Sequence, residues 1–154
     1  MNTRTTAPAR TRAHDLAASW SARVLGAALC LAVAVIHVKD QGGFPGDKAP
    51  TYVGVGYYVL EVAAVVAAVM LLTRSFRRGW LLSIGVALGP LVGYVLSRGP
   101  GMPLYGDDRG NWTETIGVIS LAVEVFLLLL SLAVTVRRRD EIADRQPTFA
   151  GERA

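Results

Sequence analysis

The sequence predicts an all-α fold, an integral membrane four-helix bundle with an N-in/C-in topology. Three observations predict it. The 154-residue chain has four apolar segments, about Trp20–Val38, Tyr52–Leu72, Trp80–Leu96 and Thr115–Val136. Each comes close to the roughly 20 residues that cross a hydrocarbon core about 30 Å thick. Composition agrees, with 52% hydrophobic residues and a mean hydropathy of +0.38. Charge asymmetry is the third observation. Twelve of the sixteen Lys and Arg residues fall in the N-terminal arm and first-span start, the loop after span two and the C-terminal tail. Basic residues gather on the cytoplasmic side, so both termini are expected there. The same sorting explains the net charge of +4 and pI near 9.6 as a topology signal rather than a nucleic-acid surface.

The expected organisation is a flexible cytoplasmic arm (1–18), a four-span domain (19–139) and a cytoplasmic tail (140–154). Span one begins near Trp20 and carries the stripe Gly26, Cys30, Ala34 and His37. Its short apolar core and the Ala32-x-Ala34 pattern resemble a signal peptide, but the long preceding arm favours a retained span. Cys30 is the only cysteine, which excludes disulfide chemistry within the chain, and its default is a small packing residue. His37 lies near the outer end, as an interfacial anchor or as part of an access path. His14 is the only other histidine and lies in the inner arm, so a bis-histidine haem is not expected within one chain.

Span two places Glu61 ten residues beyond Thr51, about 15 Å deep at 1.5 Å per residue. In span four, Glu124 is eleven residues beyond Thr113, about 16 Å deep. Both acids are therefore expected near the bilayer midplane, where each costs on the order of 2.5–3.5 kcal/mol. Gly54, Tyr58, Ala64 and Ala68 flank Glu61, and Gly117, Ser120 and Ser131 flank Glu124, which suits burial inside the bundle. Buried without a cation, such groups favour the protonated form, and two that approach can share a proton. Glu61 and Glu124 are the candidate proton- or cation-binding residues, with His37, Tyr57, Tyr58, Tyr94 and Ser120 as the access path. The alternative is an interhelical or partner-subunit contact. Towards the inner side only Ser83, Ser131, Thr73 and Thr135 offer polar groups.

Span three carries Gly85, Gly89 and Gly93, a small-residue stripe that lets another helix approach. Pro90 interrupts the same helix and frees a carbonyl. Span four is expected to start with Asn111 as N-cap and Glu114 in a capping box. Asp107 and Asp108 read as turn residues, and Arg98 has Glu114 or the loop acids as partners. "GVGYYVLEV" (54–62) and "GVISLAVEV" (117–125) share Gly, Val, Glu and Val, a faint duplication.

The stretch "YVLSRGPGMP…GDDRGNWTETIGVISLAVE" (94–124) resembles uncharacterised small four-span membrane proteins of high-GC actinobacteria. The resemblance implies four spans and a bacterial cytoplasmic (inner) membrane, and no reaction. No nucleophile–base pair, metal cluster or phosphate loop is present, so no enzyme activity, metal or cofactor is expected. The function expected is transport of a proton or cation by the glutamates. A non-catalytic accessory or scaffold subunit, assembled through the glutamates and the glycine stripe, is the alternative, and a lipid- or quinone-binding redox subunit a weaker third. Expected partners are the lipid bilayer and a second copy or membrane partner subunit, with no nucleic acid.

Overall fold

The computed structural model describes residues 19–106 and 108–143, of which 137–143 are described as backbone only. The expected arm with His14, Asp107, the arginine side chains at 137–139 and most of the tail lie outside the described residues. Four helices follow one another: α1 (Trp20–Asp40), α2 (Thr51–Leu72), α3 (Phe76–Arg98) and α4 (Thr115–Ala143). Each is long and apolar enough to cross a membrane. α3 starts at Phe76 rather than Trp80 because Arg77 and Arg78 continue the helix past the apolar segment.

The helices form a ring in which α1 packs on α2 and α4, and α3 packs on α2 and α4. α1 and α3 also approach across the middle, whereas among the described residues the α2 and α4 backbones do not come close. The exterior is apolar: Val59 is 63% and Val62 65% exposed. The interior holds Glu61, Glu124, His37, Ser83, Ser120 and Ser131, all buried. Polar residues inside and valines outside is the distribution a bilayer favours, because lipid accepts the valines and unpaired polar groups there are costly.

The two ends of the bundle differ. Near the short α2–α3 turn the helices pack tightly. Leu71, Trp80, Leu127 and Val134 form the core there. A Cβ on Gly26 would sit 2.8 Å from the Trp80 ring, and one on Gly79 would sit 2.9 Å from the Leu71 backbone nitrogen. Those two glycines permit the close approach. Arg23 seals this end. Its Nε donates to the Leu71 carbonyl at 2.6 Å and its Nη2 to Thr73 at 2.8 Å, satisfying carbonyls that the end of α2 leaves open.

The opposite end carries the two longer loops, and Arg98 organises it. Its Nε donates to the Asn111 carbonyl at 3.1 Å and its Nη1 to Ser97 Oγ at 3.0 Å and Asp108 Oδ2 at 3.2 Å. Nη2 pairs with Glu114, and the guanidinium lies 4.3 Å from the Tyr94 ring centre. Arg98 therefore takes both partners foreseen for it. The expected capping box is not formed. α4 starts at Thr115, and the Glu114 carboxylate is turned to the guanidinium rather than back to Asn111. A charge-assisted pair outweighs a neutral cap bond.

Candidate functional site

α1 presents His37 near its C-terminal end, and its C-cap residue Gln41 follows four positions later. His37 Nδ1 is 2.9 Å from the Val33 carbonyl. A carbonyl only accepts, so Nδ1 carries the hydrogen and Nε2 of the neutral ring is a free lone pair. Nε2 faces Glu124 Oε1 of α4 at 3.8 Å. Ser120, one turn earlier on α4, donates to the same oxygen at 2.5 Å. Oε2 of Glu124 takes no hydrogen bond from the described residues.

Glu61 is held elsewhere. Gln41 Nε2 donates to Glu61 Oε1 at 2.8 Å. Gln41 is buried, and its own Oε1 has no partner. Gly46 makes room for it, since a Cβ there would meet the Gln41 side chain at 2.5 Å. The two glutamates thus engage residues four positions apart at the C-terminal end of α1. Each has its own partner, Gln41 for Glu61 and His37 with Ser120 for Glu124. The faint duplication does not extend to the site: one glutamate meets an amide and the other an imidazole.

A cavity of about 490 Å3 lies among the helices at the long-loop end. Glu124, Ser120 and His37 line it, and Glu61 does not. Among the other access-path residues, Tyr57 and Tyr94 line the cavity, whereas Tyr58 of α2 turns to the α1–α2 loop, accepting from the Gly46 amide at 2.8 Å. Tyr57 donates to Asp40, and its ring stands 5.3 Å from that of His37. Tyr94 donates to the Trp112 carbonyl at 2.6 Å. Tyr105, in the α3–α4 loop, donates to Asp108 at 2.5 Å. Burial first, then that bond and the Asp108 charge, push the Tyr105 hydroxyl well above its ordinary range.

Gly85, Gly89 and Gly93 also line the cavity, together with Pro90. A Cβ on any of the three glycines would meet nothing within 4 Å. The expectation that a helix packs on this stripe is not met within the chain. The stripe is a bare wall of the cavity, and exposed Gly85, Gly89 and Val59 leave it open on the flank of the bundle.

Towards the short-loop end the polar groups are tied to backbone or to each other. Ser83 donates to the Gly79 carbonyl at 2.8 Å and lies 3.4 Å from Cys30 Sγ. Thr135 donates to the Ser131 carbonyl at 2.7 Å, and Thr73 to Met70 at 3.1 Å. Among the described residues at this end, the buried Ser131 hydroxyl has no hydrogen-bond partner. Among the described residues no group of three His, Cys, Asp or Glu side chains could hold a metal ion.

Sequence reasoning missed Gln41, Asp40 and Tyr105. Gln41 follows His37 by four residues, a helical spacing that could have drawn it in, but the adjoining Gly-Gly suggested a loop. The fold and site define a bundle of four candidate membrane spans with a histidine–glutamate pair at the base of an open cavity. No known protein family, curated protein or solved structure matches the chain.

Proposed function

We propose that the chain is a multi-pass protein of the bacterial cytoplasmic membrane, with both termini cytoplasmic, that exchanges protons at Glu124 and His37 in the course of transport. One observation carries the reading. The Val33 carbonyl fixes the His37 tautomer, so a basic nitrogen faces a carboxyl group at 3.8 Å at the base of a cavity. The 3.8 Å gap is too long for a hydrogen bond, so a proton held by the carboxyl group passes to Nε2 through one bridging water or after a small closure, and the charges so formed are adjacent and partly offset one another. Ser120 stabilises the carboxylate when the proton has left. Glu61, held by Gln41, is a second proton-binding position with a supporting part.

Reconstitution into liposomes with a trapped pH-sensitive dye tests this. Wild type collapses an imposed pH gradient, and Glu124→Gln returns the rate to that of empty liposomes. His37→Ala slows exchange, and Glu61→Gln retains most of it. A wild type that moves no protons, or a rate untouched by Glu124→Gln, overturns the reading.

The second reading is an accessory or scaffold subunit. The open glycine wall favours it, because a small-residue stripe without an intrachain partner suits a helix of a second copy or of another membrane subunit. In that case Gly89→Leu abolishes assembly in detergent without affecting proton exchange.

A further inference from the structure

The hydrogen-bond inventory of the cavity is one-sided. The hydroxyl hydrogens of Tyr57, Tyr94, Tyr105 and Ser120 are all given to acceptors inside the protein. Arg98 donates to Asn111, Ser97, Asp108 and Glu114. Apart from the second Nη2 hydrogen of Arg98, what the described side chains leave towards the cavity is acceptors: Glu124 Oε2 when ionised, His37 Nε2 and the lone pairs and ring faces of the tyrosines.

Charge leans the same way. Lys48 is 3.4 Å from Asp40, and Arg98 is shared between Asp108 and Glu114. Among the described residues that line the cavity Arg98 is the one Lys or Arg, and its charge is already matched by two acids, while Glu124 has the Ser120 hydroxyl and the neutral imidazole beside it and no cation. A buried charge requires a partner, and aromatic faces attract cations. The remaining wall is apolar and partly bare. Gly56 of α2 and Gly85, Gly89 and Gly93 of α3 present backbone with open space in front, so a flat body can lie against them. About 490 Å3 is within the usual range for small-molecule sites.

We propose that this cavity binds an amphiphilic organic amine, its ammonium group hydrogen-bonded to Glu124 and its flat apolar body against the glycine wall of α3. The inference deepens the proton-exchange reading by naming the class of molecule exchanged for the proton at Glu124. A quinone-like ligand offers only acceptors and, with Glu124 ionised, meets a single unassigned donor among the described lining side chains, the second Nη2 hydrogen of Arg98. A phosphate headgroup meets no uncompensated cation.

The test is equilibrium binding to the full chain in detergent, by titration calorimetry. The probes are phenethylamine, phenethyl alcohol as the uncharged counterpart and naphthoquinone as a flat acceptor-only ring. Phenethylamine binds saturably, and the other two bind more weakly. Glu124→Gln weakens amine binding about tenfold or more, the loss of one charge-assisted contact. Gly89→Leu, whose side chain enters the open space, weakens it as well, and Val62→Ala on the exterior does not. Naphthoquinone binding tighter than the amine, or amine binding indifferent to both Glu124→Gln and Gly89→Leu, overturns the proposal. The outcome is separable from that of the flux experiment. Proton exchange without amine binding overturns this inference alone, and amine binding without proton exchange supports it while overturning the transport reading.

Discussion

At the scale of single residues, the account depends on which partner each buried polar group has. Glu61 and Glu124 stand out in the sequence because acids in apolar spans are costly, and both are buried in the bundle. Their partners could not be read the same way. His37 reaches Glu124 across most of the chain's length, and nothing in the local pattern says which face of α1 turns to α4. Arg98 gives a prediction at this scale. Its side chain is 9% exposed and joins two acids, a hydroxyl and a carbonyl. Arg98→Ala leaves those acceptors without a donor in a partly buried site. It should lower stability by about 3 kcal/mol, read from denaturant unfolding in detergent. Arg98→Lys should recover only part of the loss, since an ammonium cannot reproduce the planar fork.

At the scale of elements, the four long apolar helices were legible from length and hydrophobicity, and their ends moved by a few residues where charged side chains extended a helix or displaced a cap. The glycines were harder. Regular spacing marked Gly85, Gly89 and Gly93 as a packing stripe, yet within the chain they face open space. The contacts fall instead on the isolated Gly26 and Gly79. Spacing alone cannot separate the two cases, because a bare helix face serves equally as a seam or as a cavity wall. Substitution does separate them. Gly26→Ala forces a Cβ against the Trp80 ring in a packed core and should destabilise by about 1–3 kcal/mol. Gly89→Ala meets nothing and should leave thermal stability in detergent unchanged. Equal losses for the two would contradict the packed and open halves described above.

At the scale of the whole molecule, the structure is asymmetric along its length: tight and sealed by Arg23 at one end, hollow beneath Arg98 at the other. The proposed topology, which rests on the positive-inside bias, puts the sealed end in the cytoplasm. Because Cys30 is buried, introduced cysteines report orientation against little background. Arg109→Cys, in the long α3–α4 loop, should react with a membrane-impermeant maleimide in intact cells, and Ser75→Cys, in the short turn, should react only after lysis. The reverse pattern would invert the topology and turn the cavity towards the cytoplasm. The central claim is that Glu124, not a glutamate pair, carries the exchangeable proton and passes it to His37. Infrared difference spectra between acidic and alkaline samples of the reconstituted protein test it most directly. The account predicts a protonated-carboxyl band that is lost in Glu124→Gln, shifted in His37→Ala and retained in Glu61→Gln. A band that survives Glu124→Gln and disappears only in Glu61→Gln would contradict it.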